Sequence, residues 1–88
     1  MEKETELLEK LRRQDPKAFK AVYDLYVCDM IEQASQSLQN YVAGNEIVTR
    51  IWYRIMEEDY ASVQLPFKKF FMDQVEQDCQ ITKIIWHL

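Results

Sequence analysis

The sequence predicts an all-α fold, a compact bundle of about four helices forming a single domain over residues 1–88. Three observations predict it. Apolar residues recur at steps of three and four from Leu7 to Leu88 with no long polar gap, the period of helices that bury one face. Gly44 is the only glycine, and Pro16 and Pro66 are the only prolines, which leaves little material for the tight turns of a β-fold. The length suits one domain and is too short for two; a chain of this size hides only roughly 60–65% of the surface its unfolded form exposes. Its apolar residues must therefore be concentrated on a few faces.

The first helix is predicted over residues 5–14. Leu7, Leu8 and Leu11 share a face, Thr5 is its expected N-cap, and Glu6 falls in the first turn, where a carboxylate suits the helix dipole. Asp15-Pro16 then punctuates the chain. Asp caps a helix by accepting an orphan backbone N–H, and Pro fits the first helical position because its missing N–H costs nothing there. The long second helix, residues 16–39, carries Phe19, Val22, Tyr23, Tyr26, Met30, Ala34 and Leu38 as one stripe, with Asp24, Asp29, Glu32 and Gln36 on other faces. Gly44 is read as closing the next connection and Asn45 as the N-cap of a third helix through residue 58. Ile47, Val48, Ile51, Trp52 and Ile55 form its buried face, at helical and not alternating spacing. Glu57, Glu58 and Asp59 oppose the dipole at its end and should fray it. Residues 60–64 read as a loop. Pro66 opens a fourth helical segment with Phe67, Phe70 and Phe71, a polar middle (Asp73, Gln74, Glu76, Gln77, Asp78), and a returning apolar face of Ile81, Ile84, Ile85 and Leu88. The pattern is compatible with one helix or two.

A formal net charge of −4 argues against general, charge-driven affinity for nucleic acid, though a local basic patch could still bind it. Cys28 and Cys79 stand alone without a CxxC pair, which fits a reducing cytosol where each acts as a small buried hydrophobe. The N-terminal stretch lacks the apolar core of a signal peptide, and no run approaches the roughly 18 apolar residues of a membrane span. The expected location is the cytoplasm, with no membrane partner.

Nothing in the sequence assembles a catalytic or metal site. His87 is the only histidine, and its spacing to Asp78 and Cys79 matches no tetrahedral zinc pattern. Consecutive carboxylates at 57–59 point in different directions on a helix, with nothing apolar specified to shift a pKa. Ser35 and Ser37 lack a histidine nearby in sequence and the glycines of a nucleophile elbow, and there is no phosphate-binding glycine loop. The expectation is a protein that is not an enzyme and needs no cofactor. Arg12, Arg13, Lys17 and Lys20 are interleaved with Glu9 and Asp15 and read as a solvated, ion-paired surface in preference to a phosphate-binding patch. Lys68 and Lys69, flanked by Phe67, Phe70 and Phe71, fit a single-stranded nucleic acid site by charge neutralisation and base stacking; core packing explains the same phenylalanines equally well. On the third helix Trp52 is expected in the core beside Tyr23 and Tyr26. Glu46, Thr49, Arg50 and Tyr53 are the candidates for an exposed contact face, of the Trp/Tyr/Arg kind that dominates interface energies.

Three blocks in this order resemble region 2, the N-terminal domain, of the extracytoplasmic-function sigma factors of bacterial RNA polymerase. The family opens with LLxxLRxGD followed by xxAFxxLYxxY; here residues 7–26 read LLEKLRRQDPKAFKAVYDLY, matching at Asp15, Ala18, Phe19, Tyr23 and Tyr26. The family's AEDLVQEVFLRLW stands against GNEIVTRIWYRIM at residues 44–56, and its PFxxWLxxIAxN against PFKKFFMDQVEQ at 66–77. The resemblance spans residues 7–77; its first block is the most specific.

It implies a region 2-like domain that binds core polymerase at the clamp coiled coil and promotes transcription initiation by recognising and opening the promoter −10 element. Polymerase contact falls by position on Glu46, Thr49, Arg50 and Tyr53, and DNA contact on Lys68, Lys69 and Gln77. An anti-sigma factor is a further partner that the sequence leaves open, as it does the oligomeric state. Glu46 keeps the charge of the family's aspartate, whereas Arg50 reverses an acidic position and Phe70 replaces a tryptophan. Asp73, Glu76 and Asp78 stand where the family is basic and would repel phosphates. The chain stops before the linker and helix-turn-helix domain, region 4, that in the family reads the −35 element. The alternative is a sigma-like protein–protein interaction module without DNA binding, using the Ile81–Leu88 stripe.

Overall fold

Residues 3–57 and 60–87 are described in this computed structural model. They form α1 (Glu4–Arg12), α2 (Pro16–Leu38), α3 (Tyr41–Glu57), a single 3-10 turn (Tyr60–Ser62) and α4 (Phe67–Trp86), so every regular element among them is helical. Leu88, Glu58 and Asp59 lie outside the described residues.

The corner between α1 and α2 follows from local chemistry. Gln14 adopts a left-handed conformation (φ 62°), its N–H bonding to the Leu11 carbonyl at 2.9 Å while the Asp15 N–H reaches the Lys10 carbonyl at 3.1 Å. This paired closure satisfies carbonyls that the end of a helix otherwise orphans. Asp15 then caps α2, its Oδ1 accepting from the Lys17 N–H at 2.9 Å, with Pro16 in the first helical position. Thr5, expected as the cap of α1, instead lies inside it; the helix starts after Lys3, which offers no side-chain cap.

The connection from α2 to α3 corrects two expectations. Gln39 is again left-handed (φ 53°), and the Asn40 N–H bonds to the Ser35 carbonyl at 3.1 Å. The Asn40 side chain accepts from the Ala43 N–H at 3.1 Å, so Asn40 takes the capping role assigned to Asn45. Gly44 does not close a loop but sits buried within α3. A Cβ there would lie 2.6 Å from both the nitrogen and the Oγ of Ser35, and 2.8 Å from its Cα. Glycine stands at 44 because α2 and α3 cross backbone to backbone.

The core joins the predicted faces of α2 and α3 to Phe67, Phe71, Val75 and Cys79 of α4, spaced four apart. Trp52, 4% exposed, is enclosed by aromatic rings: Phe71 at 4.8 Å, Tyr23 at 5.2 Å and Phe19 at 5.6 Å between centroids. Tyr26 packs on Phe67 and Phe71. Burying Phe67 and Phe71, both fully enclosed, contributes about 1.5–3 kcal/mol each. Val63, within the stretch read as a loop, is also fully buried, and Arg12 donates to its carbonyl at 2.9 Å, tying α1 to the segment before α4. Cys79 is buried as expected, whereas Cys28 is exposed, because it lies off the buried stripe of α2.

Burial on α4 stops at Cys79. Beyond it Ile81, Ile84, Ile85 and Trp86 are each more than half exposed. Among the described residues no helix is long and apolar enough to cross a membrane.

Candidate protein-docking surface

At 100° per residue, positions 46, 49, 50 and 53 fall within a sector of about 100° on α3. That sector lies opposite Ile47, Val48, Ile51, Trp52 and Ile55, so burying those five side chains forces the other four outward. Glu46, Thr49, Arg50 and Tyr53 are all exposed. Among the described residues the side chains of Glu46, Arg50 and Tyr53 make no hydrogen bond or ion pair, while Thr49 Oγ1 donates back to the Asn45 carbonyl at 2.9 Å. The face is thus rigidly backed and its charges are uncommitted.

Depressions flank it on both sides. On one side Phe19, Tyr23, Trp52, Tyr53 and Met56 surround a notch of about 270 Å³. On the other, the seam between α3 and α4 forms a continuous groove in which Ile47, Arg50, Thr82 and Ile85 recur. Arg54 bridges this seam. It donates to Gln74 at 3.0 Å and faces Asp78 at 3.5 Å, and so serves the monomer.

The positions expected to hold DNA are not gathered in the same way. Lys68, Lys69 and Gln77 are exposed. Because α4 is a single helix, however, Lys68 and Gln77 stand nine residues apart and project on opposite sides, about 180° around the axis. Lys69 is paired with Asp73 at 2.9 Å. Phe67 and Phe71 are fully buried, which leaves Phe70, itself part-buried, as the one ring of the three with an open surface. Among the described residues no three His, Cys, Asp or Glu side chains come together as a metal site.

Tyr41 and Val42, each 66% exposed, border Glu46 and Arg50 on the surface; they fall outside the helix expected to begin at Asn45. Asn40 carried the signal that would have found them, an N-cap residue placed just before an apolar helical run. Comparison with family models, with curated proteins and with solved structures found no match.

Proposed function

We propose that this domain is a protein-docking module of sigma region 2 type, which binds core RNA polymerase by laying α3 against the coiled coil of the clamp. One observation carries the reading: Glu46, Thr49, Arg50 and Tyr53 converge on one exposed, rigidly backed face of α3. The resemblance of residues 7–77 supplies the partner. A helix face with a central Tyr and Arg beside an aromatic-lined notch suits packing against helices, where such side chains fill pockets and dominate the energy. The module transfers no group and needs no cofactor.

Immobilised core polymerase tests this directly. It should retain the domain, and Arg50→Ala and Tyr53→Ala should each weaken retention about tenfold or more, a change of about 1.4 kcal/mol per decade. Both positions are exposed, so the variants keep their helical circular dichroism. Absence of retention of the unaltered domain removes the reading.

Capture of the unpaired promoter −10 strand is a second reading, favoured by the exposure of Lys68 and Lys69 at the start of α4. Two phosphate contacts would give a slope of about −1.4 for log affinity against log salt on a single strand. Fluorescence anisotropy with a −10-type oligonucleotide reads that slope. An absent or salt-insensitive signal leaves the docking function without DNA opening.

A further inference from the structure

We propose that a second copy of this chain covers the face shared by α3 and the last turns of α4, through a two-fold axis that sets each Glu46 against the other copy's Arg50. The inference uses a different partner from the polymerase and does not depend on that reading.

The charge pattern selects the occupant. Glu46 and Arg50 lie one helical turn apart, both exposed and neither paired among the described residues. A purely acidic partner would satisfy Arg50 and repel Glu46, and a purely basic one the reverse. A two-fold, antiparallel crossing of α3 on α3 centred near Val48 brings residue i of one copy to residue j of the other wherever i and j straddle that centre equally. Glu46 then meets Arg50 twice, once in each direction. The same register brings Tyr53 of each copy opposite position 43 of the other, one residue from Val42, so two apolar side chains that are 56% and 66% exposed come close.

Apolar surface continues the charged strip. Arg50 shares the α3–α4 groove with Ile81 and Ile85, which joins the charged strip to the uncovered end of α4. Eight of the ten exposed large apolar residues lie on α3 and the end of α4; the other two, Tyr23 and Leu25, are on α2. Those directed to this side, Val42 and Tyr53 on α3 and Ile81 and Ile85 at the groove, each expose on the order of 100 Å² and supply about half of the roughly 800 Å² that each partner of a stable complex buries. Lys83 sits 200° around α4 from both Ile81 and Ile85, so its charge does not oppose closure.

Sedimentation equilibrium across a concentration series tests the proposal. The unaltered chain should form dimers in the micromolar range. Glu46→Arg and Arg50→Glu should each weaken self-association at least tenfold, since each gives two like charges facing two like charges. An equimolar mixture of the two variants should recover association, because the charges are then complementary across the axis. Ile85→Asp should weaken association comparably while leaving the helical circular dichroism unchanged. A chain that stays monomeric to the highest concentration overturns the proposal. So does a dimer that is indifferent to Ile85→Asp, or one that the mixed variants fail to restore. A monomer still retained by core polymerase would remove self-association and leave polymerase docking standing.

Discussion

Gln14 and Gln39 both hold the left-handed conformation that closes a helix, at φ 62° and 53°. For a residue with a Cβ that conformation costs roughly 1–2 kcal/mol, and glycine adopts it without the clash. Glycine also loses more freedom on folding, which returns about 0.4–1 kcal/mol of the gain. Gln14→Gly and Gln39→Gly should each stabilise the domain by about 0.5–1 kcal/mol, raising its melting temperature by a few degrees in a calorimetric scan. A second prediction concerns Cys79, whose thiol pKa is pushed above its ordinary 9.0, first by burial, against the lowering effects of a hydrogen bond with Ser37 and of Lys83. Burial favours the neutral thiol, so the unfolded chain loses this proton before the folded one does. The contribution to stability is therefore complete below pH 9.0 and lost as pH rises through the raised value. Urea titrations at increasing pH should show stability falling more steeply for the natural chain than for Cys79→Ala. The two cysteines also show what residue type alone conveys. Both read as small hydrophobes, but only the one continuing the step of four from Val75 is enclosed; position on the stripe decides, and composition does not.

At the scale of the element, Gly44 sets two effects against each other. Alanine is the better helix former by about 1 kcal/mol, so propensity alone predicts that Gly44→Ala stabilises α3. Its Cβ would meet the backbone nitrogen of Ser35 at 2.6 Å, and backbone cannot rotate aside as a side chain does. Overpacking of this kind costs about 1–3 kcal/mol and requires the helices to separate. Gly44→Ala should therefore lower stability in chemical denaturation, and adding Ser35→Ala should not rescue it, because the clashing nitrogen and Cα remain. The period of apolar residues made the buried faces of α2 and α3 legible before any coordinates, since 3.6-residue spacing and burial are the same fact seen twice. The start of α3 was not legible. A glycine serves equally as a helix breaker and as the point where two helices touch, and only the neighbouring helix tells which. The continuity of α4 was hidden for a related reason. Its polar middle conceals Val75 and Cys79, two apolar positions among carboxylates and amides that keep the buried line unbroken.

For the molecule as a whole, the described fold spans 42 × 23 × 18 Å, and its buried side chains on α4 end at Cys79. Residues 80–86 continue as helix with no buried side chain, although Ile81, Ile84 and Ile85 repeat at the spacing that marks a core stripe. Spacing identifies an apolar face, but it carries no information on whether the surface that covers it lies within the same chain. That is why the outward positions of α3 are legible in sequence as the complement of its buried face, whereas the stripe of Ile81, Ile84 and Ile85 is legible as an apolar face but not as one left uncovered within the monomer. Short helical stretches held by their own hydrogen bonds alone are marginal in water. In the separate monomer, amides of residues 80–86 should therefore exchange with solvent orders of magnitude faster than those around Ile51 and Trp52, whose opening requires loss of the core. Association across the α3–α4 face would couple the two regions, since Ile81 and Ile85 would then be buried with Arg50. Hydrogen exchange read by mass spectrometry should show protection of residues 80–86 rising with protein concentration in the natural chain, and staying low and concentration-independent in Ile85→Asp. If that segment is protected to the same degree at every concentration, its stability comes from within the monomer, and the exposed isoleucines are not waiting for a partner.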